Sequence, residues 1–254
     1  MDKSVVFRNA AGHELTTKDL EGFDFDGQWR IIRPDMIPPE ASRLHEMARE
    51  AGRRGDYEQA LGLLGRAHSV VPDWPYPPYD IAYTHLLMGD TAKALEWYEK
   101  VDRVAPRGFF TCKTTLDCLR REQDGSLPSG FSKAFAMLEL IADKAQKKAI
   151  LESIVVKFPD FSPAWRDLTN FLEDEESRMG AITKGLECNP DEDTRGVLLI
   201  KLAVLLNHRG DRKRAIEILG ELALDPQSTL TTEALAKAAL AHVLNDDPAT
   251  GRSN

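Results

Sequence analysis

Three tyrosines recur at helical spacing in the first third of the chain: Tyr76, Tyr79 and Tyr83. Positions i, i+3 and i+7 lie on one face of an α-helix, so these residues form a stripe of phenol rings. Arg49 and Arg53 stand one helical turn apart in the preceding segment and supply positive charge. Tyrosine buries a large ring with a polar tip, and arginine pairs with carboxylates. Both types are enriched at binding hot spots, so the pattern predicts an aromatic and cationic groove for a partner.

The tyrosine stripe has a second interpretation, because tyrosine also fills the space between packed helices well. Pro75, Pro77 and Pro78 surround its first residue and make the start of this helix unusual. In that interpretation the rings pack between neighbouring helix pairs and reach no ligand. The exposure of the three side chains to solvent separates the two interpretations.

Residues that could support catalysis show no recognisable arrangement. The six histidines form no HExxH pair and no cluster with cysteine at zinc spacing. The chain also lacks a phosphate-binding glycine loop and a GxSxG nucleophile elbow. Cys112, Cys118 and Cys188 fall on predicted helix faces, which favours a packing role over a Cys-His nucleophile. We therefore expect no metal, no cofactor and no enzymatic activity.

The composition narrows the classes of partner and the compartment. A net charge of −8 argues against nucleic-acid binding, which needs a basic surface to displace counterions. Three cysteines without a CxxC pair make a disulfide framework improbable, and the first residues lack the apolar run of a signal peptide. No segment reaches the ~18 consecutive apolar residues of a membrane span. We expect a soluble, cytoplasmic protein with no nucleic-acid or membrane partner, and its oligomeric state stays open.

A short pattern recurs after 34 residues and sets the organisation of the chain. The copies share a glycine, an aspartate, an alanine and a proline at Gly55 and Gly89, Asp56 and Asp90, Ala60 and Ala94, and Pro72 and Pro106. The glycine turns a first helix into a second, and the aspartate caps that second helix. The alanine lets the two helices approach closely, and the proline stops the second helix. A period of this length is typical of stacked two-helix repeats.

The pattern resembles the tetratricopeptide repeat family. The resemblance covers about 41–244, is strongest at 41–106 and 196–226, and includes a Trp-x-x-Leu opening at Trp165 and Leu168. It implies an all-α solenoid of helix hairpins, about 11–12 helices in all. It also implies a non-catalytic scaffold that holds a peptide or protein partner in the concave face of a superhelix.

The resemblance assigns the outward positions of each first helix to that concave face. These are the second, fifth and ninth of each repeat, and with Arg53 they provide the candidate partner-binding residues His45, Arg49, Arg53, Tyr76, Tyr79 and Tyr83. One subtype of the family clamps the C-terminal carboxylate of its partner. Asp80 stands where that subtype has an asparagine, and its charge would repel a carboxylate. We therefore exclude recognition of a C-terminal tail.

Residues 1–40 differ from the repeats. Residues 5–7 and 28–33 are rich in β-branched and aromatic types, which predicts strands, and Pro34 then breaks regular structure. We expect a small β-containing N-terminal extension that covers the first helix of the solenoid as a cap, since open ends of an array expose apolar surface.

The remaining boundaries follow from this assignment. The solenoid is predicted over 41–244. It is irregular at 107–143, where the sequence does not settle which helices pair. Residues 245–254 are predicted to form a flexible tail. An alternative function is a structural or assembly subunit that acts through the N-terminal extension or the last helix, over 232–244. An enzyme site within 109–143 is a third hypothesis that no motif favours.

Overall fold

The computed structural model describes residues 6–8, 30–32 and 37–245, and helices dominate this part of the chain. The described residues form twelve α-helices, a number within the predicted range: α1 Pro39–Arg53, α2 Tyr57–Val70, α3 Tyr76–Met88, α4 Thr91–Val104, α5 Cys112–Gln123, α6 Phe131–Ala136, α7 Lys144–Lys157, α8 Ser162–Leu168, α9 Glu175–Glu187, α10 Glu192–His208, α11 Arg212–Leu224 and α12 Leu230–Asn245. Two short 3₁₀ turns follow α6 and α8, at Met137–Leu140 and Thr169–Phe171.

The glycine–aspartate turns have the predicted conformation. Gly55 and Gly89 adopt φ values of 80° and 82°, which side chains with a Cβ rarely tolerate. Asp56 and Asp90 each accept a hydrogen bond from the backbone N–H three residues on, at 3.2 Å, and so cap α2 and α4. Asp211 caps α11 in the same way, also at 3.2 Å. The predicted hairpin mechanism is therefore confirmed in three places.

The helices belong to two compact units, which we describe separately. Unit 1 contains α1 to α6 and ends with the 3₁₀ turn at Leu140, and unit 2 contains α7 to α12. In unit 1, α1 packs on α2, α2 on α3, α3 on α4 and α4 on α5. An apolar cluster of this unit includes Leu44, Leu64 and Ile81, and all three are buried.

Unit 2 is built from the same kind of hairpin. Helices α8, α9, α10 and α11 pack in sequence, and α12 closes on both α10 and α11. Its core includes Ile200, Leu219, Leu235 and Val243, all nearly inaccessible to water. Burial of such a shared apolar face holds stacked hairpins together, because one hairpin is too thin to bury its own.

Two boundaries in the irregular region show how local conformation sets helix length. The sequence pattern predicts a helix over 109–122, but α5 starts only at Cys112. Gly108 and Phe110 have positive φ values of 88° and 47° and cannot continue a right-handed helix. The distance of 31 residues from Pro159 to Pro190 predicts that the helices of this unit are shorter than those of a 34-residue repeat. This is confirmed, since α8 has seven residues before it tightens into a 3₁₀ turn.

The predicted β-containing N-terminal extension is wrong as a description of the fold. No such folded element is seen among the described residues. Strand is limited there to two three-residue segments, β1 Val6–Arg8 and β2 Arg30–Ile32, which pair with each other. Two strands of this length are too small to form an element with a core of its own, and α1 already begins at Pro39. The fold class of the described chain is all-α.

The rest of the predicted extension, and the predicted tail after Asn245, lie outside the described residues. The domain boundaries at 1–40, 41–244 and 245–254 stay predictions. Within the described part of the chain, no helix has both the length and the apolar composition needed to cross a membrane.

Candidate partner-binding face

Helix α1 buries a stripe that differs from the predicted one. Ala41, Leu44, Ala48 and Ala51 are buried at spacings of three and four, as an amphipathic helix requires. Its spacing from Leu44 and Ala51 also predicts Met47 on this inner face, but Met47 is half exposed. The buried face of α1 is centred on Leu44 and Ala48 and extends toward His45, so Met47 lies at the opposite edge of that face.

His45 is buried, with 6% of its surface exposed, although it was predicted at an outward position. Its Nε2 lies 2.8 Å from Asp80 Oδ2, so the ring N–H of α1 donates to a carboxylate of α3. The imidazole also contacts Trp74 edge-on, with ring centroids 4.9 Å apart. His45 thus joins the first helices of two neighbouring hairpins.

An aromatic cluster fills the space between α3 and the start of α5. It consists of Trp74, Tyr76, Tyr79, Tyr98, Phe109 and Phe110. Most of its ring pairs meet edge to face, for example Tyr76 and Phe109 with centroids 4.8 Å apart, a favourable geometry for aromatic rings. Phe110 reaches the cluster through its positive φ. The ring contacts connect α3 with α4 and with the residues just before α5.

The three tyrosines of the stripe have different environments. Tyr76 is buried inside the aromatic cluster, 8% exposed. Tyr79 places its hydroxyl 2.9 Å from Thr111 Oγ1, and burial raises its pKa. Tyr83 is half-buried; burial raises its pKa, and the negative charge of Glu139 adds to the rise. Tyr76 and Tyr79 therefore serve inter-helix packing, and Tyr83 retains access to solvent.

The two arginines of the predicted groove are exposed on α1. Arg49 is open to solvent, and Arg53 forms an ion pair with Glu50 one turn before it on the same helix. Arg49 and Tyr83 occupy equivalent positions in neighbouring hairpins, 34 residues apart, on two helices in contact. We call the side of unit 1 formed by α1, α3 and α5 the first-helix face. The predicted set thus divides into a packed part and an accessible part.

Unit 2 carries a polar row that we did not predict. The Arg166 guanidinium donates to Asp167 Oδ1 at 2.7 Å and to Thr194 Oγ1 at 3.2 Å. Burial lowers the pKa of Arg166, but the carboxylate of Asp167 holds it above its ordinary value. Lys201 donates to Thr169 Oγ1 at 2.8 Å. The Trp-x-x-Leu opening was a usable signal, because it places Arg166 at the fifth position of its repeat.

The ionisable groups of the described residues include no set of three histidine, cysteine or acidic side chains placed to hold a metal ion. Cys118 is buried, and burial raises the pKa of its thiol to about 12, which keeps it protonated at neutral pH. The predictions of no metal, no cofactor and no enzymatic activity stay predictions.

The turns, caps and hairpin spacing are those of a helical repeat, and the fold is tetratricopeptide-like. No family model matches the chain, and no curated protein matches it.

Solved structures do match. MamA from Desulfovibrio magneticus RS-1 is 20% identical over 73% of this chain and 94% of its own, with a TM-score of 0.35. A MamA RS-1 double mutant is 19% identical over 73% of this chain and 93% of its own, with a TM-score of 0.36. A thermophilic TPR protein from Thermus thermophilus is 18% identical over 79% of this chain and 99% of its own, with a TM-score of 0.34. The hairpins described above, and not the degree of these similarities, define the fold.

Proposed function

We propose that this protein is a non-catalytic protein–protein interaction scaffold. It binds a peptide or protein partner on the first-helix face of unit 1, the side that the resemblance assigns to the concave groove. The observation that carries the proposal is the placement of exposed Arg49 and half-buried Tyr83 at equivalent positions of adjacent helices. Neither side chain is fully buried in the core, and both residue types are frequent at binding hot spots.

Three of the remaining candidate residues pack beneath this surface, between the helices that form it. His45 is tied to Asp80, and Tyr76 and Tyr79 are locked into the aromatic cluster. Such packing fixes the helices that carry Arg49 and Tyr83, and a preorganised surface loses less entropy when a partner binds. Arg53 lies one turn beyond Arg49 and extends the positive end of the surface. The partner that fits this chemistry presents a side-chain carboxylate beside an apolar group.

We place the protein in the cytoplasm, without a nucleic-acid or membrane partner. The net charge of −8 and the three cysteines without a CxxC pair support this placement.

The test is affinity capture from native cell extract, comparing the wild-type protein with Arg49→Glu and with Tyr83→Ala. We expect each change to weaken capture of the same protein roughly 30-fold, a loss of about 2 kcal/mol as at a hot-spot residue. Arg66→Glu is the matched control, because Arg66 is exposed on the second helix α2. Circular dichroism must show equal helicity in all variants.

Two results contradict the proposal. The first is unchanged capture by Arg49→Glu and Tyr83→Ala. The second is loss of capture when residues 1–34 are removed and the helicity of the repeats is unchanged. That second outcome favours the assembly subunit that acts through its N-terminal residues.

A further inference from the structure

The segment after α5 departs from the repeat plan of unit 1. In the first two hairpins the second helices, α2 and α4, have 14 residues each and begin at a capping aspartate. Here α6 has six residues and starts after Gly130, which has φ 81° and no side chain to cap the helix; it then tightens into the 3₁₀ turn. We call α6 and this 3₁₀ turn, residues 131–140, the strap. The strap is too short to complete a third hairpin.

The strap lies against first helices. Helix α6 packs on α5, its neighbour in sequence, and also on α3, the helix that carries Tyr83. Leu138 and Phe131 are buried, 8% and 9% exposed, so the strap is anchored on the unit by apolar side chains. The strap therefore covers part of the first-helix face.

Glu122 of α5 holds the start of the strap. Its Oε1 accepts a hydrogen bond from the Gly130 N–H at 2.6 Å, and its Oε2 accepts one from the Ser132 N–H at 2.9 Å. One carboxylate thus satisfies two backbone donors at the N-terminus of α6, and charge makes both bonds stronger than neutral ones. The connecting loop is fixed as well, since Leu127 donates its N–H to Arg121 O at 2.9 Å and is buried.

The far end of the strap combines charge with exposed apolar surface. Glu139 lies in the 3₁₀ turn that follows α6, the helix that packs on α3, and its negative charge contributes to the raised pKa of Tyr83. Leu140 and Met137 are exposed, by 68% and 40%. An acidic side chain flanked by aliphatic ones is the combination that the accessible part of the first-helix face fits.

We propose that the strap is an intramolecular occupant of the first-helix face, held by Glu122, and that a partner reaches Tyr83 fully only when the strap moves. The proposal rests on the proposed function for the identity of the face. It deepens that function by making the strap a competitor of the partner. It also implies that the partner presents a segment of similar chemistry to residues 137–140, a carboxylate between aliphatic side chains.

The first experiment measures the accessibility of Tyr83 in the full-length protein by nitration with tetranitromethane and peptide mass spectrometry. Glu122→Ala removes the carboxylate that holds the strap. We expect nitration of Tyr83 to rise by about tenfold, because two charge-assisted hydrogen bonds are lost. Glu152→Ala on the exposed face of α7 is the matched control and leaves nitration unchanged.

Tyr98 serves as an internal reference, since it is 1% exposed in the same unit. An equal rise at Tyr98 and Tyr83 would contradict the proposal, because the whole unit and not the strap would then open. Unchanged nitration of Tyr83 in Glu122→Ala would overturn it as well.

The second experiment uses a synthetic peptide of residues 131–140 as the probe. Leu138→Asp weakens the anchor of the strap. We expect the labelled peptide to bind this variant at least tenfold more tightly than it binds the wild-type protein, a difference in binding free energy of about 1.4 kcal/mol. Equal binding to both overturns the proposal. Neither experiment uses the cellular partner, so these results alone decide whether the proposal about the strap holds. The proposed function fails separately, on the capture by Arg49→Glu and Tyr83→Ala.

Discussion

His45 Nε2 lies 2.8 Å from the carboxylate of Asp80, and this contact joins two helices whose residues are 35 positions apart. The contact is largely shielded from water, because the His45 side chain is 8% exposed and that of Asp80 25%. It ties the first hairpin of unit 1 to the second at the edge of the aromatic cluster. A polar link between repeats also fixes their register, which apolar packing alone specifies less sharply.

Asp80→Asn should destabilise unit 1 because it weakens this link. The amide keeps the size of the side chain but loses the charge, so we expect unfolding to become easier by about 1–2 kcal/mol. Urea unfolding followed by circular dichroism measures the effect. Asp73→Asn, in an exposed loop, is the control and should leave the midpoint unchanged. Equal midpoints for Asp80→Asn and the wild-type protein would show that the contact does not stabilise the unit.

Gly196 lies where α10 and α12 of unit 2 leave no room for a Cβ. A Cβ built at this position would lie 2.1 Å from Thr232 Oγ1 and 2.6 Å from Thr232 Cγ2. Gly196→Ala should therefore force α10 and α12 apart and cost about 2–3 kcal/mol of stability. Adding Thr232→Ala removes both of those atoms and should restore part of the loss.

Gly62 provides the matched control for that change. It lies within α2, and a Cβ added there would have no heavy atom within 4 Å. Gly62→Ala should stabilise the protein by about 0.5–1 kcal/mol through helix propensity alone. Thermal unfolding of both variants tests the contrast, and a similar shift for both would mean that α10 and α12 do not approach as closely as described.

Alkaline pH should destabilise unit 1 because it ionises two buried groups, the Cys118 thiol and the Tyr79 hydroxyl. Burial raises the pKa of the Cys118 thiol from 9.0 to about 12, and burial also raises the pKa of Tyr79 above its ordinary 10.0. Both groups are protonated more readily in the folded state than in the unfolded state. The stability that they contribute is thus fully present below about pH 9 and declines as the pH rises above it.

Urea midpoints measured between about pH 8 and about pH 11 test this sign. Cys118→Ala and Tyr79→Phe each remove one titrating group, so each should flatten the decline. The comparison uses the slope against pH and not the absolute stability, which either substitution also changes. A wild-type midpoint that does not fall over this range would contradict the prediction.

Local interactions made much of the fold predictable from the sequence. A glycine that reverses the chain, an aspartate that caps the next helix and a proline that stops it act within a few residues, so Gly55, Asp56 and Pro72 predict a hairpin without knowledge of its neighbours. Their recurrence after 34 residues predicts that hairpins stack. The same reasoning failed for the β-containing extension. Strand patterns in residues 1–40 carry no such local signal, because a strand becomes stable only through the partners that it finds in three dimensions.

The tertiary structure alone decided which candidate side chains are accessible. Tyr76 and Tyr83 share a face of α3 and are equivalent by spacing, but Phe109 and Phe110 cover one of them and not the other. His45 is buried because Asp80 reaches it from the next hairpin. The strap packs on α3, and Glu122 of α5 accepts a hydrogen bond from the Gly130 N–H at its start. Each of these outcomes depends on groups brought together from distant parts of the chain, and periodicity along one helix holds no information about them.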